Sequence, residues 1–413
     1  GVQTCALPIY VTDVEALDAR RVRFSFREGT NREMPLIIGQ LRVLPKHYWE
    51  GRDFRATTLE PPLGSGPYRI AALDPGRSIT YERIPDYWGT DLPVHKGRHN
   101  FDRIRYEYYR DNTVAIEAFK AGEYDVRWLS NSKEWATAYE DFAPIDDGRM
   151  VKESIPHQLT RGMEGFCFNT RRPQFADRAV RRALAYAFDF EWTNQNLYHG
   201  LFARSSSYWG NSDLGARDLP TGRELDILNS YRGRVPEEVF TEVYEPPSTD
   251  GSGNNRINLR RAKQLLEEAG WRVQNGALTH AKTGQVMRIE FLLGSPSYER
   301  VLGPMIQNLE RLGIAATVRT VDAAQYQNRV QSFDFDIIVA SWRQTLSPGN
   351  EQRNFWSGAA AQSPGSRNYA GIADPVVDEL IERQIAAPDR PTQVALTRAL
   401  DRVLLWGHYV IPG

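Results

Sequence analysis

Arg343, Glu351 and Arg353 fall close together and are interleaved with Trp342, Phe355 and Trp356. Between them runs Ser347-Pro348-Gly349-Asn350, a string of turn-forming residues. Guanidinium groups hold carboxylates through paired hydrogen bonds, a carboxylate holds an amine, and aromatic rings give apolar walls. The chemistry on offer is recognition of a charged organic molecule. The same residues also suit a surface loop anchored by a packed Trp, in which Arg343, Glu351 and Arg353 pair with one another. A second polar and aromatic run, Ser205-Ser206-Ser207-Tyr208-Trp209-Gly210-Asn211-Ser212, is the most site-like part of the stretch 200–244.

Groups for bond-breaking chemistry are thinly spread. Asp334 and Asp336 lie two apart on an expected strand and so share a face, as an acid pair or as a solvent edge. The closest histidines, His95 and His99, flank Lys96-Gly97 with no Cys nearby, so no metal is expected. Gly64 and Gly66 are followed by neither a helical pattern nor a Lys-Ser or Lys-Thr pair, so they make no phosphate loop. No Gly-x-Ser-x-Gly elbow, His-Glu-x-x-His or dinucleotide fingerprint occurs. The expectation is no catalytic residue and no cofactor. Cys167, inside Phe166-Cys167-Phe168-Asn169, reads as a small buried hydrophobe.

At 413 residues the chain holds two or more domains. Its net charge of −1 gives no basic surplus for nucleic acid. No apolar run approaches the ~20 residues needed to cross a bilayer. The 10 Trp and 19 Tyr suit an aromatic binding surface or a core of large side chains.

The elements that position these residues follow from periodicity. Phe335–Ser341 carries the continuous apolar run Ile337-Ile338-Val339-Ala340, as in a parallel strand covered on both faces. Ligands of open α/β sheets bind beyond the carboxyl ends of such strands, which places the Trp342 loop at a crevice. Upstream, Val286–Leu293, the helix Ser297–Leu312, Ile314–Val321 and the helix Ala323–Val330 complete a βαβαβ series with a parallel sheet. Helices are also expected after Asp177, after Asn258, after Asp374 and over Pro391–Leu405. The stretches 200–244 and 343–357 read as loops. In the first third, short strands are expected at Val22–Phe26, Leu36–Gly39, Leu41–Pro45, Tyr68–Ala72, Ser78–Arg83 and Phe101–Tyr109. A helix capped by Asn112 and a strand at Tyr124–Trp128 would make a βαβ unit there.

In order along the chain, Gly64-Ser65-Gly66-Pro67-Tyr68, Asp86-Tyr87-Trp88-Gly89, Ala121-Gly122-Glu123-Tyr124-Asp125, Phe175–Leu184, Ala262–Gly270 and Gly365-Ser366-Arg367-Asn368-Tyr369 resemble the successive motifs of extracellular solute-binding proteins of family 5. These are the dipeptide- and oligopeptide-binding subunits of ABC importers. Asp250-Gly251-Ser252-Gly253 and Ser347–Arg353 are most similar to the Yej-type peptide-binding subgroup. The resemblance implies an α/β, two-lobe periplasmic-binding-protein-like fold (type II, peptide-binding cluster) with lobe I incomplete. Residues 10–163 would be partial lobe I with an accessory region, 164–410 lobe II, and 411–413 the start of a return to lobe I. Residues 1–9, Cys5 among them, resemble a translated sequencing adaptor and are expected outside the fold. A peptide or peptide-like ligand, an ABC permease and ATPase as partners, a monomeric state and a periplasmic location are implied, the signal peptide lying outside this sequence. Alternatives within the family are a nickel chelate, haem or sugar; a peptide hydrolase is the alternative outside it. The expected ligand contacts are Trp342, Asn368, Tyr369 and Tyr208, with Arg343, Arg353 and Glu351 as polar anchors. In dipeptide and oligopeptide binders, a carboxylate three residues after this Trp pairs with the ligand's amine. Here that position is Thr345, so the resemblance leaves the amine partner open.

Overall fold

The computed structural model describes residues 11–27, 34–53, 56, 58–129 and 131–413; the nine residues set apart above lie outside this set. The described residues form two compact units, one of residues 34–140 and one of 11–27 with 141–413. The division between the two compact units falls at 140/141. In the larger unit β1 (Val11–Asp18) and β2 (Arg21–Phe26) form an antiparallel hairpin.

The smaller unit carries an antiparallel sheet of β3 (Tyr68–Asp74), β4 (Ser78–Arg83) and β5 (Arg103–Glu107). Asp74-Pro75-Gly76-Arg77 turns the chain between β3 and β4, and Gly76 takes φ +77°, which a side chain would resist. The helix Asn112–Lys120 is capped by Asp111, whose carboxylate accepts from the Thr113 and Val114 amides. Asn112 is therefore the first helical residue and not the cap. Tyr124–Trp128 forms no strand. The Tyr124 hydroxyl instead donates to the Ala115 carbonyl at 2.6 Å and its ring packs on Phe119, folding the segment back on the helix. Met34–Gly39 is a short helix where a strand was expected, and Leu41–Pro45 forms no strand.

The larger unit is built on a five-stranded sheet, ordered β10-β9-β11-β6-β12. Its strands are β6 (Met163–Phe168), β9 (Arg288–Leu293), β10 (Ala315–Thr320), β11 (Ile337–Trp342) and β12 (Val410–Pro412). The hairpin β7 (Trp271–Gln274) and β8 (Ala277–His280) stands apart, and the sequence reading did not anticipate it. β9, β10 and β11 run parallel, as the βαβαβ series predicts. β6 lies antiparallel between β11 and β12. Ile411 and Pro412, within the stretch 411–413 expected to begin a return to the first lobe, pair with Phe166 and Gly165 of β6.

Helical layers cover both faces. Arg178–Ala185, Arg256–Glu268 and Glu299–Arg311 bury Val180, Leu184, Leu266, Leu302 and Leu309 with Phe166 and Ile337. On the other face, Pro375–Ile385 and Arg390–Trp406 bury Leu380, Leu396, Leu400 and Leu404 with Ile338, Ala340 and Trp342. Each such Leu contributes roughly 1.5–3 kcal/mol by leaving water. The stretch 200–244 is not all loop: Gly222–Asn229 and Glu238–Thr241 are helices whose apolar faces enter this second layer. Glu351–Trp356 is likewise a helix, because Gln352, Phe355 and Trp356 share its buried face. The helix expected after Asn258 begins earlier, at Arg256.

Candidate ligand-binding site

Two cavities flank the carboxyl half of β11, both within the larger unit. β11 pairs with β9 only at Ile337 and Ile338. Among the described residues it has no register partner on that side from Val339 to Trp342, while β6 continues beside it on the other. The sheet is therefore split at the end where parallel strands present ligand sites.

The first cavity holds about 310 Å³. Its sheet wall is a ladder: Val339 faces Phe166, Ser341 faces Glu164, and Arg343 follows beyond the strand. Phe188, Phe190 and Tyr198 come from the helical layer, with Tyr298 just before the Glu299–Arg311 helix. Phe166 and Phe188 meet edge to face at 5.3 Å, and Phe166 and Tyr298 at 6.4 Å. The Tyr298 hydroxyl donates to Glu164 Oε1 at 2.9 Å. Burial first, then the Glu164 charge, push the Tyr298 phenol pKa up, so it stays a donor. Arg161 and Arg343 line the rim, and among the described residues neither guanidinium has an acidic partner within ion-pairing distance. Gly162 is required at the mouth, since a Cβ there would run into the Trp342 carbonyl oxygen.

The second cavity, about 240 Å³, lies along the open edge of β11 and is lined by Tyr326, Gln327, Gln331, Ser366 and Tyr369. Val339 and Ser341 border both cavities.

The residues singled out from the sequence divide between these surfaces and the core. Arg343 lines the first cavity and Tyr369 the second. Trp342 faces neither: side chains alternate along β11, so with Val339, Ser341 and Arg343 on the cavity side, Trp342 joins Ile338 and Ala340 in the opposite layer. It is 0% exposed, its ring lies 4.9 Å from Trp356, and its indole N–H donates to the Arg367 carbonyl at 2.9 Å. Of the two readings of this loop, the packed Trp anchor describes its geometry. Tyr208 packs beside Trp342 and Trp356 in the same layer. Asn368 is also buried; its amide donates to the Ser357 and Ile372 carbonyls and accepts from the Ile372 amide. Thr345 is exposed and accepts from the Ser347 amide.

Arg353 makes a two-pronged ion pair with Glu382, at 2.7 and 2.6 Å. Glu351 accepts from the Gly349 amide and the Gln352 side chain, each at 3.0 Å. Asp334 and Asp336 both reach Arg172, at 2.9 and 3.3 Å, an ion-pair network beside β11. His95 and His99 meet the Tyr87 ring edge to face and share a 3.1 Å hydrogen bond. Among the described residues no group of three or more His, Cys, Asp or Glu could hold a metal.

Buried polar groups hold the layer behind β11. The Asp401 carboxylate, fully buried, accepts from Ser207 Oγ at 2.6 Å and from the Tyr208 and Ala216 amides at 2.7 and 2.8 Å. Burial pushes its pKa up to about 6 despite these three donors. Arg171 stacks on Phe333 at 3.7 Å and donates to the Ala361, Asn368 and Tyr369 carbonyls, fixing the segment that presents Tyr369.

The α/β fold is that of the type II periplasmic peptide-binding proteins. The oligopeptide-binding protein of an ABC transporter from Thermotoga maritima superposes with a TM-score of 0.73 at 19% identity, over 99% of this chain and 72% of that one. The chain belongs to the bacterial extracellular solute-binding proteins of family 5, whose middle-region model matches residues 4–364. The probable peptide-binding protein YejA of Agrobacterium fabrum is 47% identical over 98% of this chain and 67% of its own length. The peptidoglycan-binding protein YepA of the same organism is 41% identical, over 97% and 66%. The chain spans 62–67% of the length of the first three curated relatives it matches. Among the described residues no helix is long and apolar enough to cross a membrane.

Proposed function

We propose that this chain belongs to the ligand-capturing component of a periplasmic ABC importer, that it takes up oligopeptides or peptide-like compounds without transforming them, and that it passes them as a monomer to a permease and its ATPase. The observation that carries this reading is the unpaired edge of β11 between two cavities. An extended peptide can add to a free strand edge through its backbone, and its side chains then alternate between the two faces. The aromatic cavity suits an apolar side chain, and the Gln- and Tyr-lined cavity a polar one. Arg343, which among the described residues has no acidic partner within ion-pairing distance, suits a ligand carboxylate. The names of the relatives support the same ligand class.

The test is mass spectrometry of whatever co-purifies with the protein, followed by incubation with a defined peptide mixture. Intact peptides released on denaturation are expected. Recovery of a nickel chelate, haem or a sugar in their place would overturn the reading, as would shortened peptides after incubation.

A further inference from the structure

We infer that Glu164 is the group that selects ligands by a free amine, in place of the side chain that Thr345 cannot provide. This rests on the reading of the cavity as a peptide site. Glu164 stands opposite Ser341 on the cavity face of the sheet, one step nearer the mouth than the Phe166–Val339 pair. Its carboxylate is held by the neutral Tyr298 hydroxyl, and among the described residues no basic group lies within ion-pairing distance. Elsewhere in this unit Glu238, Glu290 and Glu382 each meet an Arg. A carboxylate fixed by a neutral donor keeps its charge for an incoming cation, and aromatic rings around it favour an ammonium over water.

The other carboxylate in the running is already engaged. Glu351 closes the Gly349 turn and holds Gln352. The two rim guanidiniums, Arg161 and Arg343, repel a bare polycation. The ligand class this constellation selects is therefore a zwitterion: a peptide carrying both a free amine, for Glu164, and a carboxylate, for the rim arginines.

The test uses an equimolar set of unmodified tripeptides and the same set Nα-acetylated, each offered to the purified protein, with retained peptides counted by mass spectrometry. The parent is expected to retain the unmodified set at least about tenfold better, as the loss of a charge-assisted contact requires. Glu164→Gln keeps the partner of Tyr298 but removes the charge, and it should bring the two sets to parity. Tyr298→Phe should lower the preference in part. Equal retention of both sets by the parent, or an unchanged preference in Glu164→Gln, would overturn the assignment of Glu164 while leaving peptide binding intact. Retention of neither set would overturn the peptide reading itself and the inference with it.

Discussion

Replacing Trp342 by Ala separates a core residue from a ligand contact. Trp342 is 0% exposed, and its ring lies 4.9 Å from Trp356, 5.7 Å from Tyr369 and 6.4 Å from Tyr208. Removing the indole leaves a cavity among three rings, and a buried Trp cut to Ala costs about 3–5 kcal/mol. The Arg367 carbonyl also loses its donor, which adds roughly 1 kcal/mol. At ~2–4 °C per kcal/mol for a unit of this size, the melting temperature should fall by roughly 10 °C or more. Trp342→Phe keeps most of the packing but not the N–H bond, so roughly 1–2 kcal/mol is expected. Urea denaturation followed by circular dichroism gives both values. If Trp342→Ala denatures at the same midpoint as the parent while ligand retention is lost, the assignment to the core is wrong and the side chain lines the site.

Two further expectations concern what lies behind and beside the cavity. Asp401 has a folded pKa of about 6 against 3.8 for its ordinary value, so the folded state binds the proton more tightly. The stability this contributes is fully present below about pH 3.8 and is lost as pH rises through about 6, a swing of roughly 3 kcal/mol at ~1.4 kcal/mol per pH unit. The difference between parent and Asp401→Asn should therefore change by that amount between pH 4 and 7 in urea titrations, and a constant difference would contradict it. Gly162→Ala drives a methyl into the Trp342 carbonyl and must part β6 from β11 at the mouth, costing roughly 1–3 kcal/mol; an unmoved urea midpoint would show that the backbone yields freely there.

Elements set by local pattern were readable from the sequence. The continuous apolar run of β11 and the stripe Val301, Leu302, Met305 and Leu309 each specify their element without help from distant residues. The misses came where a side chain answered to a remote partner. Tyr124 turned back to the Ala115 carbonyl, and a strand-like segment became coil. Phe355 and Trp356 alternate with charges in a way that reads as loop, yet they lie on one buried helical face. The site shows the same limit. Period-two alternation along β11 separates Arg343 from Trp342, and that signal was available in the sequence. Glu164 was not findable, because it enters the cavity only through the pairing of Ser341 with a strand far earlier in the chain. Tyr208 and Asn368 looked like contacts because polar and aromatic groups in a turn suit binding; here the Tyr208 ring packs on Trp356 and the Asn368 amide bonds to backbone.

The position of β6 has a bearing on how the chain acquires its structure. It is the earliest-made strand of its sheet, yet both of its neighbours come late: Phe168 waits for Ile337, 337 − 168 = 169 residues on, and Cys167 for Val410, 410 − 167 = 243 residues on. Until those segments emerge from the ribosome, a strand of Phe, Cys and Met has nothing to pair with. Closing loops this long before any pairing is gained makes assembly slow. β6 therefore enters the sheet only after residues 337–342 and 410–412 have been made.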